Sequence, residues 1–133
     1  MATFNKINAF VEDLAEKVHN LGADQLKVAL TNTAPTANSA QLSDISEIGY
    51  ANLSTRNVTT ASSSQSGGTY SLVLTDLVLS ASGTVGPFRY VYLYNDTSTN
   101  DRGIGWWDRG SSLTMENGDT LTLDFAATTI SLS

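Results

Sequence analysis

The chain has 133 residues, no cysteine and a formal net charge of −6 at pH 7, and charged residues make only 15% of it. That length predicts one domain (residues 1–133) with a core of its own. The absence of cysteine excludes disulfides and thiolate metal sites, and the seven scattered basic residues argue against a nucleic-acid backbone as partner. Serine and threonine together fill 33 positions, a composition that suits β-strands with hydroxyl-bearing outer faces better than the charged surface of an ordinary cytosolic enzyme. The longest apolar run is too short to span a membrane, and the start lacks the basic and apolar blocks of a signal peptide. The expectation is a protein made and assembled in a cytoplasm, without a membrane partner.

In chain order, Phe4, Ile7, Phe10, Val11, Leu14, Val18 and Leu21 fall at helical spacing. They predict an amphipathic N-terminal helix over about residues 4–21, capped by Thr3 and ended by Gly22. The sole histidine, His19, would lie near its end, where a cation suits the helix dipole. Gln25–Thr31 reads as the first strand, with Leu26, Val28 and Leu30 on one face. Residues 33–41 read as a loop, and Leu42–Ile48 as a short helix capped by Ser43 or Asp44. Asn52–Thr60 has the weak patterning of an edge strand. Ala61–Gly68 (ASSSQSGG) reads as a flexible, solvated turn, a hairpin tip or surface loop. Thr69–Thr75 and Leu77–Ala81 are apolar strand material, readable as one strand bent near Asp76, and Ser82–Pro87 is a turn.

The chain is organised around Phe88–Asp108, which holds both tryptophans and three of the five tyrosines. Phe88, Tyr90, Tyr92 and Tyr94 alternate with Arg89, Val91 and Leu93 at the period of a strand. With both faces apolar, that strand should be central in its sheet. The polar loop Asn95–Arg102 then leads to a second short strand, Ile104–Asp108. Beyond it, Leu113–Glu116 and Thr120–Phe125 read as a hairpin about Asn117–Asp119 that sets Met115 opposite Leu121 and Leu113 opposite Leu123. Thr128–Leu132 reads as a last strand. One helix followed by seven to nine strands, with no strand–helix–strand repetition, predicts a mainly β fold: a β-sandwich or a jelly-roll-like barrel with the helix packed across it.

Conventional catalytic patterns are missing. One histidine, no cysteine and no Gly-x-Ser-x-Gly elbow leave no nucleophile–base pair, and neither a phosphate-binding glycine loop nor paired histidines occur. The residues therefore predict no enzyme, no cofactor and no metal. The oxygen-rich loop Asn95–Asp101 has ligands for calcium, but lacks the glycine and terminal glutamate of a calcium-binding loop, and its residue types equally suit a tight turn. Three Asn-x-Ser/Thr triplets are explained by composition. Trp106 and Trp107 are adjacent on a strand and point to opposite faces, so they cannot share one flat sugar platform; one fills the core and the other packs under the helix or at a subunit boundary. The candidate interface is Phe88, Arg89, Tyr90, Tyr92, Tyr94, Trp106, Trp107 and Arg109, aromatic and arginine residues of the kind that dominate binding surfaces.

The segments FNKINAFVEDLAEKVHNLGADQLKVALTNTAP and VGPFRYVYLYNDTSTNDRGIGWWDRGSSLTMENGDTLTLDF, which cover most of the chain, resemble small virion proteins of tailed bacteriophages. The resemblance implies a capsid decoration, or cement, protein. Such a protein would bind the outside of the assembled head across junctions of the major capsid protein, as part of a virion assembled in the host cytoplasm. A tail or neck component and a carbohydrate- or receptor-binding module are the alternatives. Homo-oligomers of two or three copies suit a symmetric lattice. No catalytic or ligand-binding position comes with the resemblance.

Overall fold

The computed structural model describes residues 3–125 and 128–132. Its elements are β1 (Asn5–Lys6), α1 (Asn8–Ala15), β2 (Leu26–Thr31), a single 3₁₀ turn (Leu42–Asp44), β3 (Asn57–Val58), β4 (Thr60–Ser66), β5 (Thr69–Leu74), β6 (Leu77–Ser80), β7 (Val85–Asn95), β8 (Gly103–Met115), β9 (Thr120–Leu123) and β10 (Ile130–Leu132). The fold is mainly β. All pairing between these strands is antiparallel, in a five-stranded sheet ordered β1-β8-β7-β2-β3, a three-stranded sheet β10-β5-β4 and a two-stranded sheet β6-β9. These sheets are open, so among the described residues the barrel form of the expected architecture is not made.

The aromatic hairpin takes the centre. β7 lies third of five in its sheet, between β8 and β2, as its apolar faces require. One face carries Val91 and Leu93 beside Val28 and Leu30 of β2. There the rings of Phe4, Trp107 and Phe125 form a chain with centroids 5.1 and 5.5 Å apart. The other face carries Tyr92, whose hydroxyl donates to the Ser39 carbonyl at 2.6 Å, because residues 33–50 fold back over it. That segment is stitched down by Gly103 N–H to Ala40 O (2.9 Å), Leu42 N–H to Asp101 O (2.9 Å) and Ile48 N–H to Leu30 O (3.0 Å). The second strand of the hairpin, expected to be short, runs on to Met115, which pairs with Val85.

Several local expectations are corrected. The helix spans only Asn8–Ala15, not residues 4–21. At its start, Asn5 and Lys6 are extended and paired with Trp106 and Gly105. Ile7, not Thr3, is the N-cap residue, and it makes no side-chain cap. At its end, Lys17 takes a left-handed conformation (φ 69°). The Val18 and Lys17 amides then reach back to the Asp13 and Leu14 carbonyls at 2.8 and 3.4 Å, a Schellman closure in which lysine stands where glycine is usual. The apolar stripe thus serves a strand, a short helix and a turn in succession. Leu42–Ile48 is helical only over its first three residues, closed by reciprocal bonds between Gln41 and Asp44.

Ala61–Ser66, expected as a flexible turn, is strand: β4 pairs with β5 and only Gly67–Gly68 turn. The material around Asp76 is not one bent strand, since β5 and β6 belong to different sheets. The hairpin about Asn117–Asp119 turns where expected, but its arms do not pair with each other. Leu121 and Leu123 of β9 face Leu79 and Leu77 of β6, while Leu113 and Met115 face Phe88 and Val85. Matching leucines were available on two strands, and β6 takes them. Asn57–Val58 is an edge strand as expected, though shorter.

Candidate functional site

The eight predicted interface residues divide by burial. Phe88 and Tyr92 are fully buried, Tyr94 is 2% exposed and Trp107 6%, so these four are core and present no contact surface. Two glycines of β8 make that core possible. A Cβ on Gly103 would collide with the Tyr92 hydroxyl, and one on Gly105 with the Phe4 ring. Burial pushes the Tyr92 and Tyr94 phenols up from their ordinary pKa, which keeps both neutral. The expectation that one tryptophan fills the core is met by Trp107; Trp106, half-buried, lies beside β1 and the Tyr92 pairing position.

The other four residues reach the surface. Tyr90 and Trp106 are half-buried, and register puts them on one face of β7–β8: Tyr90 faces Asp108 and Tyr92 faces Trp106. Arg89 Nε and Nη2 donate to the two carboxylate oxygens of Asp108 at 2.8 and 3.1 Å. The guanidinium carbon also lies 5.4 Å from the Tyr90 ring centroid, within reach of a cation–π attraction. Asp108 is held from a second direction by the Gly110 amide at 2.8 Å. Hydrogen bonding to Arg89, with that from Gly110, holds the Asp108 carboxyl below the ordinary carboxylate range, and the bond to Asp108 pushes Arg89 up. The pair is exposed, so its worth lies in holding both side chains in one geometry rather than in stability. Asp108 belongs to this patch and was not among the predicted residues; its place opposite Tyr90 is set by register. Arg109 points elsewhere, bonding the Ser111 carbonyl at 2.8 Å and lining a groove of about 360 Å³ with Val91, Trp107, Leu121, Leu123 and Phe125.

Two side chains of the Asn95–Asp101 loop, Asn95 and Ser98, bond within it, while Thr97 Oγ1 accepts from the Gln25 amide at 2.9 Å. Asn95 Oδ1 accepts from the Thr97 and Ser98 amides at 3.0 and 3.2 Å, and Ser98 Oγ donates to Asn95 O and accepts from Arg102 N–H. Those two amides fix the orientation of the buried Asn95 side chain, whose Nδ2 donates to Asp24 Oδ2 at 2.7 Å and to His19 Nδ1 at 3.0 Å. His19 is therefore the Nε2–H tautomer, with Nε2 buried and unpartnered beside the Phe10 ring. Burial lowers its pKa, against the pull of Asp13 and Asp24. The expectation of a cation at a helix end is overturned. Arg102 meanwhile clamps α1 to this loop, donating to Asp13 at 2.8 and 3.4 Å and to Gln41 Oε1 at 3.2 Å.

Fold and surface together define a mainly β protein that presents two half-buried aromatic rings, Tyr90 and Trp106, beside the exposed Arg89–Asp108 pair on its central hairpin. No protein-family model, no curated protein and no solved structure matches the chain.

Proposed function

We propose that this chain is a non-enzymatic structural protein of a bacteriophage virion, a capsid decoration protein that binds the major capsid protein on the outer surface of the assembled head. The observation that carries the docking surface is the Tyr90–Trp106 face with its Arg89–Asp108 pair. Tyrosine, tryptophan and arginine are the residues that most often dominate binding energy. Here they stand on the paired strands β7 and β8, so little backbone freedom is lost when they dock. The location on a head comes from the sequence resemblance. The fold that accompanies this reading is a β-sandwich, the smaller sheets covering the face of the five-stranded sheet that carries Trp107.

The test has two parts. Copy number per virion, measured against the major capsid protein by quantitative mass spectrometry, should run to hundreds in simple ratio. A few dozen copies would instead assign the chain to tail or neck, and absence from virions would overturn the reading. In binding to expanded heads, Trp106→Ala should weaken affinity by about 2 kcal/mol, roughly thirtyfold. Unchanged affinity would remove this face as the docking surface.

A further inference from the structure

The sheet edges of this protein are unequally guarded. A strand edge presents unpaired N–H and C=O groups, and proteins blunt such edges with charge, proline, bulges or brevity. β1 and β3 have two residues each, β10 has three, and β6 and β9, both edges of their two-stranded sheet, have four each. The outer end of β8, beyond its pairing with β1, carries Arg109 and the left-handed Gly110 (φ 95°). β4 is different. It is the edge of the sheet β10-β5-β4, seven residues long, and Ala61 to Ser66 are all exposed. Its one irregularity lies between Thr60 and Ser62, after which the ladder is regular from Ser62 to Ser66. The stretch Asn57–Thr75 holds no charged residue, in a chain of net charge −6.

We infer that β4 is a self-association edge: two copies meet through their β4 strands, antiparallel, about a two-fold axis at Ser64, joining two three-stranded sheets into one. The regular ladder is symmetric about Ser64, so Ser64 meets its own copy, Ser63 meets Gln65 and Ser62 meets Ser66. Facing hydroxyls can bond across such a pair, and a two-fold contact closes without growing into a fibre. A second copy fits better than a foreign strand. Ser63 and Tyr70 line a cavity of about 720 Å³ on one face, but strand addition selects a foreign sequence through pockets along alternate side chains, and the Ser62, Ser64 and Ser66 face is a row of exposed hydroxyls. Two acidic molecules also approach with least repulsion where neither carries charge. Pairing over this length covers less than the ~1,200 Å² of a standard interface, so the association is weak and reversible. This inference does not rest on the virion reading.

Because the chain has no cysteine, single-cysteine variants give a clean readout. Opposite residues of an antiparallel pair lie about 4.5–5.5 Å apart at Cα, within disulfide reach. Under mild oxidation Ser64→Cys should form covalent dimers more than about tenfold faster than the exposed loop variant Thr99→Cys. Sedimentation of the unmodified protein should show dimer appearing as concentration rises towards ~1 mM. Ser64→Lys, which sets like charges opposite each other, should abolish that dimer while leaving the circular dichroism unchanged. Equal cross-linking rates for the two cysteine variants, a monomer at every concentration, or a dimer that survives Ser64→Lys would each overturn the proposal.

Discussion

Protonating the only histidine should weaken this fold, and the structure sets the sign and the scale. Neutral His19 accepts the Asn95 Nδ2–H at Nδ1, and a protonated ring has no acceptor there. Asn95 cannot turn its oxygen towards the ring without losing the Thr97, Ser98 and Asp24 bonds. Burial already holds the His19 pKa below its ordinary 6.5, with Asp13 and Asp24 opposing and Arg102 assisting. The folded state therefore binds fewer protons than the unfolded chain between the folded pKa and 6.5. The stability His19 contributes is fully present above pH 6.5 and is lost as pH falls through that window. One proton difference sets a maximal slope of ~1.4 kcal/mol per pH unit. Asp101, pushed up from 3.8 by burial, works in the opposite direction and nearer its own ordinary value. Urea unfolding at fixed ionic strength, taken from about pH 7.5 to about 5.5, should show the midpoint falling below pH ~6.5. His19→Gln keeps an acceptor for Asn95 and should flatten the profile. A wild-type midpoint that does not move, or an equal slope in His19→Gln, would refute the reasoning.

Three further outcomes follow from packing. Gly105→Ala puts a methyl where the Phe4 ring lies and 2.6 Å from the Asn5 carbonyl; it should cost about 1–3 kcal/mol and expose the β1 amides to hydrogen exchange ahead of global unfolding. Asp13→Asn leaves the Arg102 guanidinium, only 23% exposed as a side chain, without its charge partner; a loss of about 1–3 kcal/mol in chemical denaturation is expected. Deleting residues 1–21 removes β1, α1 and the buried Ile7 and Phe10, and the truncated chain should aggregate; a soluble, cooperatively folding product would contradict this.

What the sequence revealed depended on whether the deciding partner was near or far. The Phe88–Tyr94 alternation announced a central strand because both of its faces are apolar, a property of the residues themselves. The helical stripe runs too far because Phe4 and Ile7 keep helical spacing with Phe10, while Gly105 and Trp107, which meet Phe4, and Ile104, which bonds Ile7, lie about a hundred residues away. A stripe that serves a strand and then a helix looks the same as one long helix. Leu121 and Leu123 failed in the same way: the turn at Asn117–Gly118 is local and was legible, whereas the choice of β6 over β8 depends on where each strand already has a partner. β4 was hidden by composition, since serine and glycine read as loop until a neighbouring strand supplies the ladder. The interface list mixed core with surface because aromatic residues serve both, and only burial separates Tyr92 from Tyr90.

The two proposed contacts use different sheets. The aromatic patch stands on β7 and β8, and the self-association edge is β4, so no residue is asked to serve both. A copy docked through Trp106 thus keeps β4 free for a second copy, and each contact raises the effective concentration for the other. Weak β4 pairing, of little consequence in dilute solution, becomes productive once docking holds neighbours within reach. Ser64→Lys should then leave the binding of a single copy intact yet lower the occupancy of a crowded surface, whereas Trp106→Ala should lower both. If Ser64→Lys changed single-copy binding, β4 would belong to the docking surface, and the separation of the two roles would be wrong.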